Sequence, residues 1–499
     1  LNPKKCRKIK GAANKKGNED NGLTARNNTR SSLAPSRLPG FGSVEYWAAQ
    51  PENPAWECYP SPREVPSLTA ADGRKWTVSF DPSTQTAEAR SFFREWGFVV
   101  FHRVLSDEEC QETVDEIWDS LESEHSGVLR GNAESHRLLP VERYGLPEAQ
   151  AVFTPQIVRN RQSPRLVAAL DAVTTPWVGS APGADPIEAV LRAHRDGRDG
   201  SGVDDSGVDG SGGGGGGGGC EAGGERLGRD GLDPNTLVVS QDRWCFYPAT
   251  GGDPERRTKN PGAHLDLCPW SYLPRPDRRM PCPDTDAGGF RYRNGLFDFR
   301  AEINCVRGEA GGPHHQGVLN LMDNCEEDGG TALVPGFHRC YSEWSLALGA
   351  WERNRVGQRR RGNAFVFCDP RDPIHGLMRR VTLRAGSLLL WDQRTVHGAM
   401  PNNSGVPRMA QFVRGFRAGE MTPPRASARA EAVTRELRKA GTFSALTKLG
   451  ENVAGLTYGL SASRSMARDD REIRVDEEDG EKGTSDSSEE VETGSRQFE

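Results

Sequence analysis

Eight consecutive glycines at residues 212–219 lie inside a stretch from 183 to 233 dominated by Asp, Gly, Arg and Ser. Such a run cannot hold a helix or a strand, so it divides the chain into two structured parts. A glycine-rich loop that cradles phosphate needs a strand before it and a helix after it, and neither pattern flanks this run. It reads as an insertion in a surface loop, where extra length costs little free energy.

The two ends are equally poor in core-forming pattern. Residues 1–30 carry nine Lys and Arg against two acids, and residues 469–499 carry four against thirteen. The middle is close to neutral, which argues against a nucleic-acid groove, because phosphate binding needs a basic stripe on the folded part. The cluster Lys4, Lys5, Arg7, Lys8 and Lys10 fits a nuclear or transit signal, but a plain disordered basic arm is the simpler reading. Only 35% of residues are hydrophobic, so a sizeable share of the chain is expected to be linker or tail. Eleven cysteines without a CxxC pair suit free thiols in a reducing compartment better than a disulfide framework or a zinc ribbon. No run of about 18 apolar residues is present, so no transmembrane segment is expected. The expected location is intracellular, with the cytoplasm as the default and an organelle left open because the chain begins with Leu1.

The resulting map is a basic arm over 1–54, an N-terminal α/β part over 55–182, the Gly-rich insertion over 183–233, a β core over 234–420, a helical segment over 421–460 and an acidic tail over 461–499. Phe98, Val99, Val100 and Phe101 form a short apolar strand pattern, and Ser106-Asp107-Glu108-Glu109 is a capping box opening a helix with Val114, Ile117 and Leu121 at helical spacing. Beyond the insertion the pattern changes to short strands at 237–240, 244–247, 317–322, 364–368, 387–391 and 410–416, separated by turn residues. Many short strands of this kind suggest a sandwich or jelly roll rather than alternating βα units. Residues 428–440 read as a helix stopped by Gly441.

Within the β core lies His264-Leu265-Asp266. In an extended segment alternate side chains leave on the same side, so the imidazole and the carboxylate can face one cation while Leu265 turns away. Ten His and seventy acidic residues in 499 give roughly one such tripeptide by accident, and His194-Arg195-Asp196 is a second. That one runs into the glycine insertion, where no rigid element could hold a metal. His397 supplies a third ligand just past the strand 387–391, and Arg408 opens the next apolar run with a guanidinium suited to gripping a carboxylate. Two imidazoles and one carboxylate are the set that leaves an iron(II) ion with open positions.

Read together, these residues resemble the phytanoyl-CoA dioxygenase family of iron(II)/2-oxoglutarate oxygenases. The resemblance runs over about residues 91–417, excluding the insertion. It includes Gly97-Phe98-Val99-Val100, Gln316-Gly317-Val318-Leu319-Asn320-Leu321, Asp328-Gly329-Gly330, Val334-Pro335-Gly336-Phe337-His338 and the segment from Gly386 to His397. It implies a mainly β fold with flanking helices, the double-stranded β-helix or cupin-like jelly roll. It also implies Fe(II) held by His264, Asp266 and His397, 2-oxoglutarate paired with Arg408, and O2 as oxidant. The implied reaction is hydroxylation of a small-molecule or lipid-like substrate with release of succinate and CO2. Phe337 stands where the family usually has Ser, in a turn that should not affect metal binding. Asp266 is retained where related halogenases lose the carboxylate, which favours hydroxylation. The glycine insertion and the run Arg359-Arg360-Arg361 have no counterpart in the pattern.

The remaining candidates have plainer readings. Gln316 and Asn320 share a strand face with Val318 and are expected to line the pocket, either touching the co-substrate or making structural hydrogen bonds. His314 and His315 are expected in a loop facing solvent or substrate, His338 in a turn near the site mouth, and His375 in a loop or the core. Cys268, Trp270 and Trp391 are expected to pack. Two rivals of other classes are a redox-inactive metalloenzyme on the same barrel, which would have no use for Arg408, and a non-catalytic scaffold, which would tolerate loss of a ligand. The loop 271–294 holds no interpretable motif, so substrate identity and protein partners are open.

Overall fold

The computed structural model describes residues 44–139, 145–147, 150–174, 236–251, 253, 262–266, 269, 315–356, 365–418 and 423–458. The glycine run, His194, Asp196, Cys268, Trp270, the loop 271–294, His314 and Arg359, Arg360 and Arg361 lie outside them. The chain divides into two units, Leu1–Gln50 and Pro51–Glu499. The described part of the first is a one-turn helix, α1 (Val44–Ala48), within the stretch expected to form only an arm.

The second unit opens with a hairpin, β1 (Ser67–Thr69) and β2 (Lys75–Thr77), then α2 (Thr86–Trp96), β3 (Phe98–Phe101), α3 (Asp107–Glu124), α4 (Pro155–Arg161) and α5 (Pro164–Thr174). After the insertion come β4 (Leu237–Val239), β5 (Trp244–Tyr247), β6 (His264–Leu265), β7 (His315–Asn320), β8 (Gly330–Leu333), α6 (Phe337–Val356), β9 (Phe365–Val366), α7 (Ile374–Leu377) and β10 (Arg379–Arg380). The chain continues through β11 (Leu388–Asp392), β12 (His397–Met400), β13 (Arg408–Val413), β14 (Gly415–Arg417), α8 (Pro423–Lys439) and α9 (Lys448–Val453). No helix among the described residues is long and apolar enough to cross a membrane.

Local chemistry explains the boundaries. The capping box at the start of α3 is complete: Glu109 N–H donates to Ser106 Oγ at 3.2 Å and Ser106 N–H donates to the Glu109 carboxylate at 2.8 Å, so two orphan donors are satisfied reciprocally. Helix α2 ends at Gly97, whose φ of 74° is left-handed. A Cβ there would run into the His338 ring and approach Thr395 Oγ1 to 2.7 Å, so the turn into β3 accepts only glycine.

The strands form two five-stranded sheets in the orders β3-β11-β7-β13-β5 and β10-β8-β12-β6-β9, with every strand pair antiparallel. They face each other, since Gln316 on β7 of one reaches Asp266 at the end of β6 in the other. This is the jelly roll, mainly β with helices outside. Helices α3 and α4 lie on the outer face of the first sheet: Trp118 of α3 meets Phe246 of β5 edge-on with centroids 4.9 Å apart, and Asn160 of α4 donates to Gln411 of β13 at 3.1 Å. Helix α6 packs on the second sheet, with Trp344 edge-on to Phe365 of β9. Covered on both faces, β11 is buried at every residue, and Leu388-Leu389-Leu390-Trp391 therefore reads as an unbroken apolar run rather than an alternating one. Each such leucine contributes about 1.5–3 kcal/mol by burial.

The strand pattern of the sequence is recovered with shifts. The run 317–322 begins two residues early, at His315. The run 410–416 is divided at Arg414, whose N–H turns to Ser240 Oγ at 3.0 Å, after which β14 pairs with β4 instead of β7.

Candidate metal centre

His264 on β6 is registered directly opposite His397 on β12, and their rings lie 4.4 Å apart. Asp266 follows on the same side as His264, while Leu265 turns away into an apolar cluster with Phe337, Trp344 and Val396. One ligand atom from each of His264, Asp266 and His397 lies within 4.8 Å of the others. His264 Nε2 is 3.7 Å from Asp266 Oδ1, and His397 Nε2 is 3.8 Å from Asp266 Oδ2. His264 Nδ1 faces the carbonyl of Gly262 at 3.1 Å and His397 Nδ1 faces that of Thr395 at 3.0 Å. A carbonyl only accepts, so each Nδ1 carries the proton and each neutral ring turns an Nε2 lone pair toward Asp266, the tautomer a metal ligand requires.

The surrounding groups come from the opposite sheet. Gln316 Nε2 donates to Asp266 Oδ2 at 2.9 Å, and Trp391 Nε1 donates to Gln316 Oε1 at 3.2 Å. Trp391, read from sequence as a packing residue, also sets its ring 5.0 Å from that of His397. Arg414 Nη2 stands 3.8 Å from Asp266 Oδ2. Next to Trp391, burial opposes ionisation of Asp392, but the Arg394 guanidinium, bonded to both its oxygens at 2.9 and 2.7 Å, holds the carboxyl below its usual range. Asn320 is buried, yet its amide nitrogen is spent on backbone: it donates to the carbonyls of Met322, Leu383 and Arg384. It anchors a turn and offers only its Oδ1 to anything else.

The lumen has a second polar end. From His397 to Met400, β12 pairs with Leu333 to Gly330 of β8, a run of roughly 10 Å along the strand. A Cβ on Gly330, where φ is 120°, would come within 2.6 Å of Arg380 Nη1 and 3.0 Å of Arg408 Nε. Arg408 is buried, lies over the Tyr247 ring and touches Cys245 Sγ at 3.5 Å, and its Nε has no hydrogen-bond partner. Arg380 donates to the carbonyls of Thr331, Cys325 and Glu326 and to Asn324 Oδ1. Burial, and then the charge of Arg408, push its guanidinium down to about 9. Burial raises the thiol of Cys245 and the phenol of Tyr247, so both are neutral neighbours to these cations.

Three histidines fall elsewhere than expected. His315 is buried rather than in a solvent-facing loop: as the first residue of β7 it points opposite to Gln316, and its Nε2 accepts from Gly415 N–H at 3.2 Å. His338 is also buried, its Nε2 donating to the Arg94 carbonyl at 2.8 Å beneath the α2 turn. His375 is exposed, with Nε2 3.0 Å from the Asp369 carbonyl. Sequence reasoning missed Arg414, although alternation from Arg408 through Ala410 and Phe412 puts it on the same face. It also missed Arg380, which no pattern marks.

Residues 305–410 match the family model described as Phytanoyl-CoA dioxygenase (PhyH). A protein of Dictyostelium discoideum named "Putative phytanoyl-CoA dioxygenase" is 26% identical over 331 residues, which cover 65% of this chain and 74% of that protein. Among solved structures, a hypothetical protein from Escherichia coli is 15% identical, with 74% of this chain and 82% of that chain covered and a TM-score of 0.44. The epimerase SnoN in complex with Fe3+, alpha ketoglutarate and nogalamycin RO is 14% identical, covering 67% and 84% at a TM-score of 0.33. The family match spans β7 through the start of β13, and over that part the chain is similar to the phytanoyl-CoA dioxygenase family.

Proposed function

We propose that the protein is an iron(II)- and 2-oxoglutarate-dependent dioxygenase that hydroxylates a small-molecule or lipid-like substrate and releases succinate and CO2. The observation that carries this reading is the convergence of two imidazoles and one carboxylate from separate strands within 4.8 Å, a donor set that suits iron(II) and occupies half of an octahedral sphere. The second support is the buried guanidinium of Arg408, whose unsatisfied Nε lies beside Gly330, three residue pairs along β8 and β12 from His397.

His264, Asp266 and His397 would hold the metal, and Arg408 would pair with the far carboxylate of 2-oxoglutarate and fix its orientation. Iron with 2-oxoglutarate and O2 supplies the oxidising power, ending in succinate, CO2 and a hydroxylated carbon. The chain contributes geometry and dryness. Val318 and Phe412, registered opposite one another, would keep the path between a bound metal and the guanidinium apolar. The protonated Nδ1 atoms, bonded to the Gly262 and Thr395 carbonyls, keep both rings from turning.

The test is an anaerobic titration with iron(II) and 2-oxoglutarate, followed by oxygen. The expected result is a visible charge-transfer band and then one succinate per 2-oxoglutarate consumed. His397→Ala should abolish the band. A parent protein that gives no band, or a His397→Ala variant indistinguishable from it, overturns the reading.

A further inference from the structure

Resting on the metal site just proposed, we infer that Gln316, locked by the Trp391 indole, is a positioning residue that dictates which oxygen of Asp266 a metal receives. An indole N–H can only donate, so the group facing Trp391 Nε1 at 3.2 Å must be the Gln316 carbonyl oxygen. The amide nitrogen is then forced to the other side, where it donates to Asp266 Oδ2 at 2.9 Å. The amide cannot flip without losing both bonds. Gln316 and Trp391 are also Cα partners in the β7–β11 register and both are buried, so the pair is set by the sheet rather than by a loop.

Asp266 needs such a hold. It lies one residue beyond β6, a strand of only two residues, so the ladder does not fix its carboxylate. Each carboxylate oxygen faces one imidazole, Oδ1 at 3.7 Å from His264 Nε2 and Oδ2 at 3.8 Å from His397 Nε2. What distinguishes them is that Oδ2 is engaged by Gln316 and bordered by Arg414 at 3.8 Å, whereas Oδ1 takes no bond from Gln316. A carboxylate held this way binds through one oxygen. One that could swing would bring in both and fill a position that the co-substrate and O2 require.

The experiment is titration of the full chain with cobalt(II) alone, read by calorimetry and by the visible d–d spectrum, beside thermal unfolding of the metal-free proteins. Gln316→Leu should weaken cobalt binding about 10- to 100-fold and change the spectrum. Gln316→Glu, which sets a second carboxylate against Asp266, should weaken it further. Trp391→Phe keeps an aromatic ring but frees the amide, so it should give a smaller loss with the same change in the spectrum, and it answers the question if the Gln316 variants fail to fold. Cobalt affinity within about twofold of the parent and an unaltered spectrum in all folded variants overturn the proposal. His397→Ala separates the two readings. If it loses cobalt while the Gln316 variants do not, the metal site stands and the role of Gln316 falls. If it binds cobalt like the parent, the site itself is wrong and the role of Gln316 falls with it.

Discussion

The two polar ends of the barrel lumen are built on opposite principles. At the end near His397 the groups answer one another: each imidazole Nδ1 has its carbonyl, Asp266 Oδ2 has Gln316, and Gln316 has Trp391. At the end near Gly330, two guanidiniums meet beside the backbone and neither forms an ion pair with a carboxylate among the described residues. Burying unpaired charge is costly, and here the cost is partly met by carbonyl acceptors around Arg380 and by the Tyr247 ring over Arg408. On the proposed function, the first end is prepared in advance and the second is completed by a ligand. The first holds its ligand atoms in place before any metal arrives, whereas the second carries an excess of positive charge that a dicarboxylate would neutralise.

Variants can separate the two ends. The largest effect is expected from Arg408→Ala, which should weaken 2-oxoglutarate binding about a hundredfold, equivalent to about 2.8 kcal/mol, while cobalt or iron binding stays at the parental level. Equal losses of metal and 2-oxoglutarate would show that the ends are one unit. Gly330→Ala comes next. The backbone conformation there is open only to glycine, and the new methyl would crowd Asn324, Arg380 and Arg408, so stability should fall by about 2 kcal/mol. Denaturant unfolding measures this, and 2-oxoglutarate affinity should fall with it while the metal site, three residues along the strand pair, keeps its affinity.

How far the sequence reveals each end follows from the kind of contact involved. His264 and Asp266 are legible because strand alternation is local: two residues apart means the same face. The strand 388–391 is legible because burial on both faces leaves four apolar residues in a row. The bond from Gln316 to Asp266 is not legible, since it joins residues 50 apart across two sheets and nothing in either neighbourhood encodes the other. Arg414 could have been found by extending alternation from Arg408. Arg380 could not, because it sits in a strand of two residues and three of its four acceptors are backbone carbonyls, which any sequence supplies. Burial of His315 was hidden for a similar reason: its neighbour is the Gly415 amide.

The smallest and most discriminating effect is expected from Arg380→Gln. Arg380 is proposed to act on a bound carboxylate mainly through its field, since its donors already serve Thr331, Asn324, Cys325 and Glu326. A second cation a few ångströms further off, at an intermediate dielectric, adds less than a direct contact, so 2-oxoglutarate affinity should drop about five- to tenfold. The same substitution removes bonds that tie residues 324–326 to β10, so a purely structural role predicts a lower unfolding midpoint instead. Arg380→Lys distinguishes the two, because it keeps the charge but cannot reach all four acceptors. If charge matters, lysine should restore most of the 2-oxoglutarate affinity and little of the stability. If lysine restores neither, Arg380 is a staple for the turn, and Arg408 alone makes that end of the lumen cationic.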